Sequence, residues 1–422
     1  MSFDPRTVRP QFPALALADN GLPRIYFDNP GGTQVPVRVA NAVNDCLLFK
    51  NANIGGFFQS SIDAGSVMDA AREAMADFLN APSTSEIIFG QNMTTITLHL
   101  SRSIGKLFSA GDEIVLSTMD HDANIGPWLQ LARDLELEVK WLPFNLKTFE
   151  IDLDELDAVL TPRTRLVCIG GASNFTGTIN DVTAIAAKAR AVGALSYVDG
   201  VQLAPHVPID VQQLGCDFFV CSAYKFFGPH QGILWGRREV LERMEPYKPR
   251  PLTPELPWCF ESGTQSHEGM AGITAAIEYF AEIGRTQAQD YLDNWSHFSG
   301  RRRDVHAAVE MLFDYEKKLA RHLIDGLNSF DGITIQGITR SDADDRRVPT
   351  VSFIHATHKA HDIAKALAER NIFVWSGDFY AEDAAKALGV HDDGVLRVGP
   401  VHYNSIEEID ELLKALAEIL SG

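Results

Sequence analysis

Positive charge is scarce in this chain: 37 lysines and arginines stand against 56 aspartates and glutamates in 422 residues, a formal net charge of −19. Nucleic acid and anionic membrane both demand a basic patch, so neither is expected as a partner. The one dense basic cluster, Arg301-Arg302-Arg303, lies beside Asp304 in a helical pattern and reads as a solvated helix face. Cysteine is sparse too. Cys46, Cys168, Cys216, Cys221 and Cys259 include no Cys-x-x-Cys pair, and Cys168, Cys216 and Cys221 sit in apolar strand-like runs, where cysteine behaves as a small core hydrophobe. That speaks against a disulfide scaffold and for a reducing, cytoplasmic setting. No apolar run reaches membrane-spanning length, and the first residues lack the basic and apolar regions of a secretion signal, so neither a span nor a signal is expected. His355, His358 and His361 have a metal-like spacing, but they straddle a strand end and a helix start, and no metal site is expected.

What the chain does have is alternation. Apolar runs predict strands over 86–89, 112–117, 138–143, 164–170, 194–199, 216–222 and 232–236, with helical spacing over 94–108, 123–135 and 182–192. Strands alternating with helices imply crossover units and a largely parallel sheet. From about residue 290 the pattern changes: a long helix over 305–327, strands over 333–336, 348–353, 372–375 and 395–398, and helices over 362–369 and 406–420. Residues 341–347 are read as a charged surface loop. A chain of this length exceeds one ordinary core. The expected division is an N-terminal segment, 1–35, lining the active site, a large α/β domain, 36–290, and a smaller C-terminal α/β domain, 291–422.

One lysine and one acid carry the chemistry. Asp199 ends the run Ala194-Leu-Ser-Tyr-Val-Asp199-Gly200, and Lys225 follows the next strand in Ser222-Ala-Tyr-Lys225-Phe-Phe-Gly228. In a parallel sheet both fall at the carboxyl ends of strands, where ligands bind. A lysine that forms a Schiff base with an aldehyde, and a carboxylate that keeps a pyridine nitrogen protonated, are the two halves of a pyridoxal phosphate site.

With Phe27-Asp28-Asn29-Pro30-Gly31-Gly32-Thr33-Gln34-Val35-Pro36 upstream, these motifs resemble the class V branch of the fold-type I pyridoxal phosphate enzymes, in its cysteine desulfurase-like group. The resemblance spans nearly the whole chain and implies the large mostly parallel sheet, flanked by helices, with the smaller C-terminal domain. It implies Lys225 as the Schiff-base lysine and proton carrier, Asp199 on the pyridine nitrogen, Gln202 and Asn174 near the ring oxygen, and His121 stacked on the ring. Thr94, Thr95, Ser222 and Tyr224 would serve the phosphate, with Thr264 reaching the phosphate of a partner subunit in a homodimer that shares its active sites. Arg397 would clamp the carboxylate of a small amino acid, with Asn174, Gly31, Gly32 and Tyr380 beside it.

The chain departs from that pattern at one point. Desulfurases of the sulfur-assimilation branch take sulfur onto a loop cysteine. The matching stretch here is Trp375-Ser-Gly377-Asp-Phe-Tyr380-Ala381, with Tyr380 where the cysteine would stand. The expected activity is therefore a lyase, by C–S or other β-elimination, that needs no persulfide. Transamination and racemisation or epimerisation at Cα are the alternatives, and a non-catalytic partner protein is the remote one.

Overall fold

A computed structural model describes residues 3–421. The strands β1 (Ile87–Gly90), β2 (Glu113–Ser117), β3 (Glu138–Leu142), β4 (Thr164–Gly170), β5 (Leu195–Asp199), β6 (Phe218–Ser222) and β7 (Gly232–Gly236) form one sheet. Their order is β1-β7-β6-β5-β4-β2-β3, parallel except for β7, which runs against both of its neighbours. Strand residues alternate between two apolar layers. Val115, Val167, Val198 and Phe219 face one, while Ile114, Leu166, Tyr197 and Phe218 face the other. Both faces are covered, which is why these segments read as continuous apolar runs. Among the covering helices are α1 (Gln59–Leu79), α2 (Met93–Gly105) and α3 (His267–Gln287).

A second, antiparallel sheet follows from β8 (Ile333–Ile335), β9 (Val351–His355), β10 (Trp375–Gly377) and β11 (Val395–Val398), in the order β8-β9-β11-β10. One long helix, α4 (Gly300–Leu327), serves both cores: Val305 to Leu312 pack with the large sheet, Leu319 to Leu327 with the small one. The N-terminal segment joins the C-terminal part, since Ile25–Tyr26 pairs in parallel with Ile372–Phe373 and Phe27 is buried in the small core. From there the chain turns at Asp28–Gly32 toward the large sheet, where Thr33 N–H donates to the Tyr224 carbonyl (3.1 Å).

Several sequence expectations are corrected. The Arg301–Arg303 stretch is not a solvated face. Arg301 bridges Asp77 (2.8 Å) and Glu278 (3.0 Å), and Arg302 reaches Asn80 (2.8 Å), because α4 starts where α1 ends and α3 passes. Arg347 is no surface residue either. It is buried and donates to the Ile338 and Thr350 carbonyls, filling acceptors that this irregular segment leaves without backbone partners. The run 372–375 is two strands on different partners. The strand expected over 348–353 begins only at Val351, after Pro349, which has no N–H to give a ladder. The helix expected from 123 begins at Gly126, behind a 3-10 turn at Asp122–Asn124. The five cysteines are free and buried. Among the described residues no helix is long and apolar enough to cross a membrane, and no three His, Cys, Asp or Glu side chains gather as a metal site.

Candidate active site

β5 and β6 are parallel neighbours, and they deliver Asp199 and, one 3-10 turn beyond Ser222, Lys225 to the same edge of the sheet. The edge opens into a cavity of about 680 Å³ between the two sheets. Asp199 and Lys225 line it together with Gly31, Gly32, Gln202, His121, Asn174, Tyr380 and Arg397.

Burial governs the charges. The Lys225 amine is drawn down to about 7, first by desolvation and then by Arg397, with Asp28 and Asp199 opposing. Its Nζ donates to the carbonyls of Pro30 and Gly31 (2.8 Å to Gly31). Asp199 is pushed up to about 6 by burial, while its Oδ1 accepts the Val201 N–H (2.9 Å). Burial takes His121 down to about 4, so its ring is neutral near pH 7. His121 Nδ1 accepts the Ala123 N–H (3.0 Å), which places the ring proton on Nε2.

At the start of α2, Asn92 and Thr95 form a reciprocal cap. Thr95 N–H donates to Asn92 Oδ1 (2.9 Å), and Thr95 Oγ1 both accepts the Asn92 N–H (3.3 Å) and donates to its carbonyl (3.0 Å). The polar groups of Thr95 serve this cap, and the residue borders a neighbouring cavity instead of the main one. Thr94 faces the main cavity, with only the Met93 sulfur as hydroxyl partner (3.7 Å). Ser222 Oγ lies under the same helix start and accepts the Met93 N–H (3.0 Å). Tyr224 lines the cavity, its ring stacked on His230 at 4.9 Å. Thr264 does not reach this cavity within the chain; it borders the neighbouring one with Thr95 and His230.

The loop after β10 closes the outer wall. Phe379 and Tyr380 are consecutive non-glycine residues with positive φ, 56° and 58°. Each such residue costs about 1–3 kcal/mol, so something must hold them. Two bonds to the large-domain side do so: Asn174 Nδ2 donates to the Phe379 carbonyl (2.8 Å), and the Asp122 N–H to the Tyr380 carbonyl (2.7 Å). The Tyr380 ring stands 5.5 Å from that of His121.

Asp120, Tyr26 and Asp28 are among the cavity residues that escaped the sequence reading. Asp120 is fully enclosed, accepts the Gly170 N–H (2.9 Å) and the Asn124 amide (2.7 Å), and is pushed up to about 7 by burial. Tyr26 and Asp28 come from the N-terminal segment. Asp28 stands inside the Phe27–Pro36 motif, three residues before Gly31.

These side chains suit pyridoxal phosphate. The buried Asn174 Oδ1 has no partner among the described residues, Asp199 is a carboxylate desolvated by burial, and Lys225 is an amine held near neutrality. Lys225 would hold the aldehyde carbon, Asp199 the ring nitrogen, and Thr94 and Ser222 the phosphate at the helix start.

Comparison with known proteins agrees with the geometry. The aminotransferase class-V family model matches residues 25–299 and 306–412. A cysteine desulfurase of Yersinia pseudotuberculosis serotype O:1b is 31% identical over 99% of both chains. A probable cysteine desulfurase of Halalkalibacterium halodurans is 33% identical over 97% of this chain and 96% of that one. Among solved structures, the Escherichia coli cysteine desulfurase CsdA superposes with a TM-score of 0.83 at 29% identity, covering 100% of this chain and 99% of the other. The cysteine desulfurase of Thermococcus onnurineus NA1 gives 0.86 at 26% identity, with both chains fully covered.

Proposed function

The chain belongs to the class-V aminotransferase family, as a cysteine desulfurase-like, pyridoxal phosphate-dependent enzyme, and on that footing we propose that it is a lyase: it eliminates a β-substituent from a small α-amino acid without passing sulfur to a loop cysteine. The observation that carries this reading is the composition of the cavity wall. Tyr380 occupies the loop, none of the five cysteines lines the cavity, and all five are buried.

When bound, pyridoxal phosphate supplies the electron sink for the charge left at Cα. The protein's own groups do the rest. Arg397, buried and flat against the Phe379 ring at 3.8 Å, offers guanidinium N–H groups to the substrate carboxylate. Lys225 Nζ, once free, takes the Cα proton, and an amine held near 7 is matched to that task at neutral pH. Neutral His121 presents an apolar ring face and one N–H, a fit for stacking rather than for charge. Gly377, Asp378, Phe379 and Tyr380 line the cavity, with Phe379 and Tyr380 held by the bonds from Asn174 and Asp122.

The deciding experiment incubates the purified enzyme with L-cysteine, L-cystine and a panel of other amino acids and identifies the products. A lyase working on cysteine consumes one water and gives sulfide, pyruvate and ammonia in equal amounts, with no alanine and no protein-bound persulfide. Alanine with a protein-bound persulfide would refute the reading. A keto acid with stoichiometric conversion of the cofactor to its pyridoxamine form would move the enzyme to the aminotransferases.

We also infer a homodimer with shared sites. Thr264 lies on the rim of a second cavity instead of in the first, and Leu48, Phe49, Phe57 and Phe58 leave a large apolar area exposed. The active protein should sediment as a dimer; a fully active monomer would contradict this.

A further inference from the structure

The Asp28–Gly32 turn holds both cations of the cavity at once. Lys225 Nζ rests on the carbonyls of Pro30 and Gly31. The Arg397 guanidinium rests on the Asp28 carboxylate, Nη2 to Oδ1 at 3.1 Å, and on the Asn174 carbonyl through Nη1 at 3.2 Å. Its Nε is buried without a partner among the described residues. Nε and Nη2 form one edge of the guanidinium, the edge that grips a carboxylate through two parallel bonds. Asp28 therefore fills half of a two-bond site, through a contact longer than the 2.7–2.9 Å typical of charge-assisted bonds.

We propose that Asp28 is an internal stand-in for the substrate carboxylate: it occupies Arg397 in the substrate-free enzyme and yields the guanidinium when an amino acid binds. The inference rests on the amino-acid reading of the cavity above. The exchange is favourable in bonds, because the incoming carboxylate satisfies Nε as well as Nη2, and an unpaired buried donor is costly. The turn is shaped for it. A Cβ on Gly31 would fall 2.5 Å from Asp28 Oδ2, so only glycine there leaves room for the acid.

Charge then adds a consequence. The groups facing Asp28 are Arg397 on β11, Lys225 on the turn after β6, and Tyr26 just upstream. Burial raises the Asp28 pKa, and Arg397 is the largest influence holding it down. With Arg397 given to a second carboxylate, and the Lys225 amine engaged by the cofactor, two buried acids share one cation, and Asp28 takes up a proton from solvent. Carboxylate binding thus consumes a proton at pH values between the pKa of Asp28 in the free enzyme and its higher pKa in the complex, and across that window affinity falls as pH rises.

The test is calorimetric titration of propionate, a carboxylate with no amine to react, into the holoenzyme at several pH values from 5 to 8, each in two buffers of different ionisation enthalpy. Net proton uptake on binding should appear within that range, and uptake near zero throughout it counts as none. Asp28→Asn should bind propionate about tenfold more tightly with no proton uptake, since one neighbouring negative charge is gone. Proton uptake near zero in the wild type, which requires no variant, overturns the proposal, as does unchanged uptake or weaker binding in Asp28→Asn. The underlying reading fails separately: wild-type enzyme that does not bind propionate, or Arg397→Lys that binds it as tightly as wild type, shows that Arg397 is not the carboxylate site.

Discussion

Lys225→Ala should lose about ten-thousandfold or more in turnover and should trap no cofactor on borohydride reduction, because in the proposed reading one side chain supplies both the attaching amine and the Cα proton carrier. The same residue gives a pH signature before any substrate is added. A lysine in water attacks an aldehyde as its neutral fraction grows toward the ordinary 10.5, but Lys225 is held at about 7. The sign is fixed by the charged form: burial and Arg397 disfavour the ammonium, so the reactive neutral amine dominates above about pH 7. Cofactor capture by the apoprotein should therefore rise up to that pH and level off beyond it. A rate still climbing tenfold per pH unit between 8 and 9 would mean that water reaches the amine. Retained trapping in Lys225→Ala would mean that another lysine does the work.

Much of this site was legible because its parts are local. Asp199 and Ser222 end apolar strands, and a parallel sheet puts such ends side by side, so the meeting of Asp199 and Lys225 follows from two short runs of sequence. The same logic found the helix start that carries Thr94. It could not see that Thr95 is consumed by Asn92, since a capping residue and a phosphate ligand share one sequence signal. The long helices α1 and α3 were missed. The buried face of α1 is rich in small residues and methionine, as at Ala71, Ala74, Met75 and Ala76, so the apolar contrast that marks a helical stripe is weak there, whereas α3 carries such a stripe in Ile273, Ile277, Phe280 and Ile283 and the sequence reading passed over it. Asp28 was hidden for another reason: its partner Arg397 stands 369 residues away, and no local pattern announces a contact of that range.

Range also hides the largest structural effect expected here. Arg72 on α1 donates through Nη2 to Glu261 (2.7 Å) and through Nη1 to Glu261 (2.9 Å) and the Ile87 carbonyl (2.7 Å), with the Trp258 ring 4.5 Å from the guanidinium. Glu261 accepts the Phe89 N–H as well (2.7 Å), and both ionic side chains are at most 4% exposed. Arg72→Met should destabilise the protein by about 3–5 kcal/mol, read as a fall in the urea midpoint, because it strands a carboxylate out of water. The pair itself is worth far less than that. In Arg72→Met with Glu261→Leu no charge is left behind, and beyond the Ile87 carbonyl that both variants deprive of its donor the remaining cost is mainly the orphaned Phe89 N–H, about 1–3 kcal/mol. The double variant should thus be more stable than the single one, a coupling that a mere packing defect would not give. If the double variant falls below Arg72→Met, the ion pair is not what holds the segment. The distinction bears on function, since Glu261 immediately precedes the Ser262–Gln265 loop that carries Thr264, and an ion pair that anchors its base against β1 fixes where that threonine can reach.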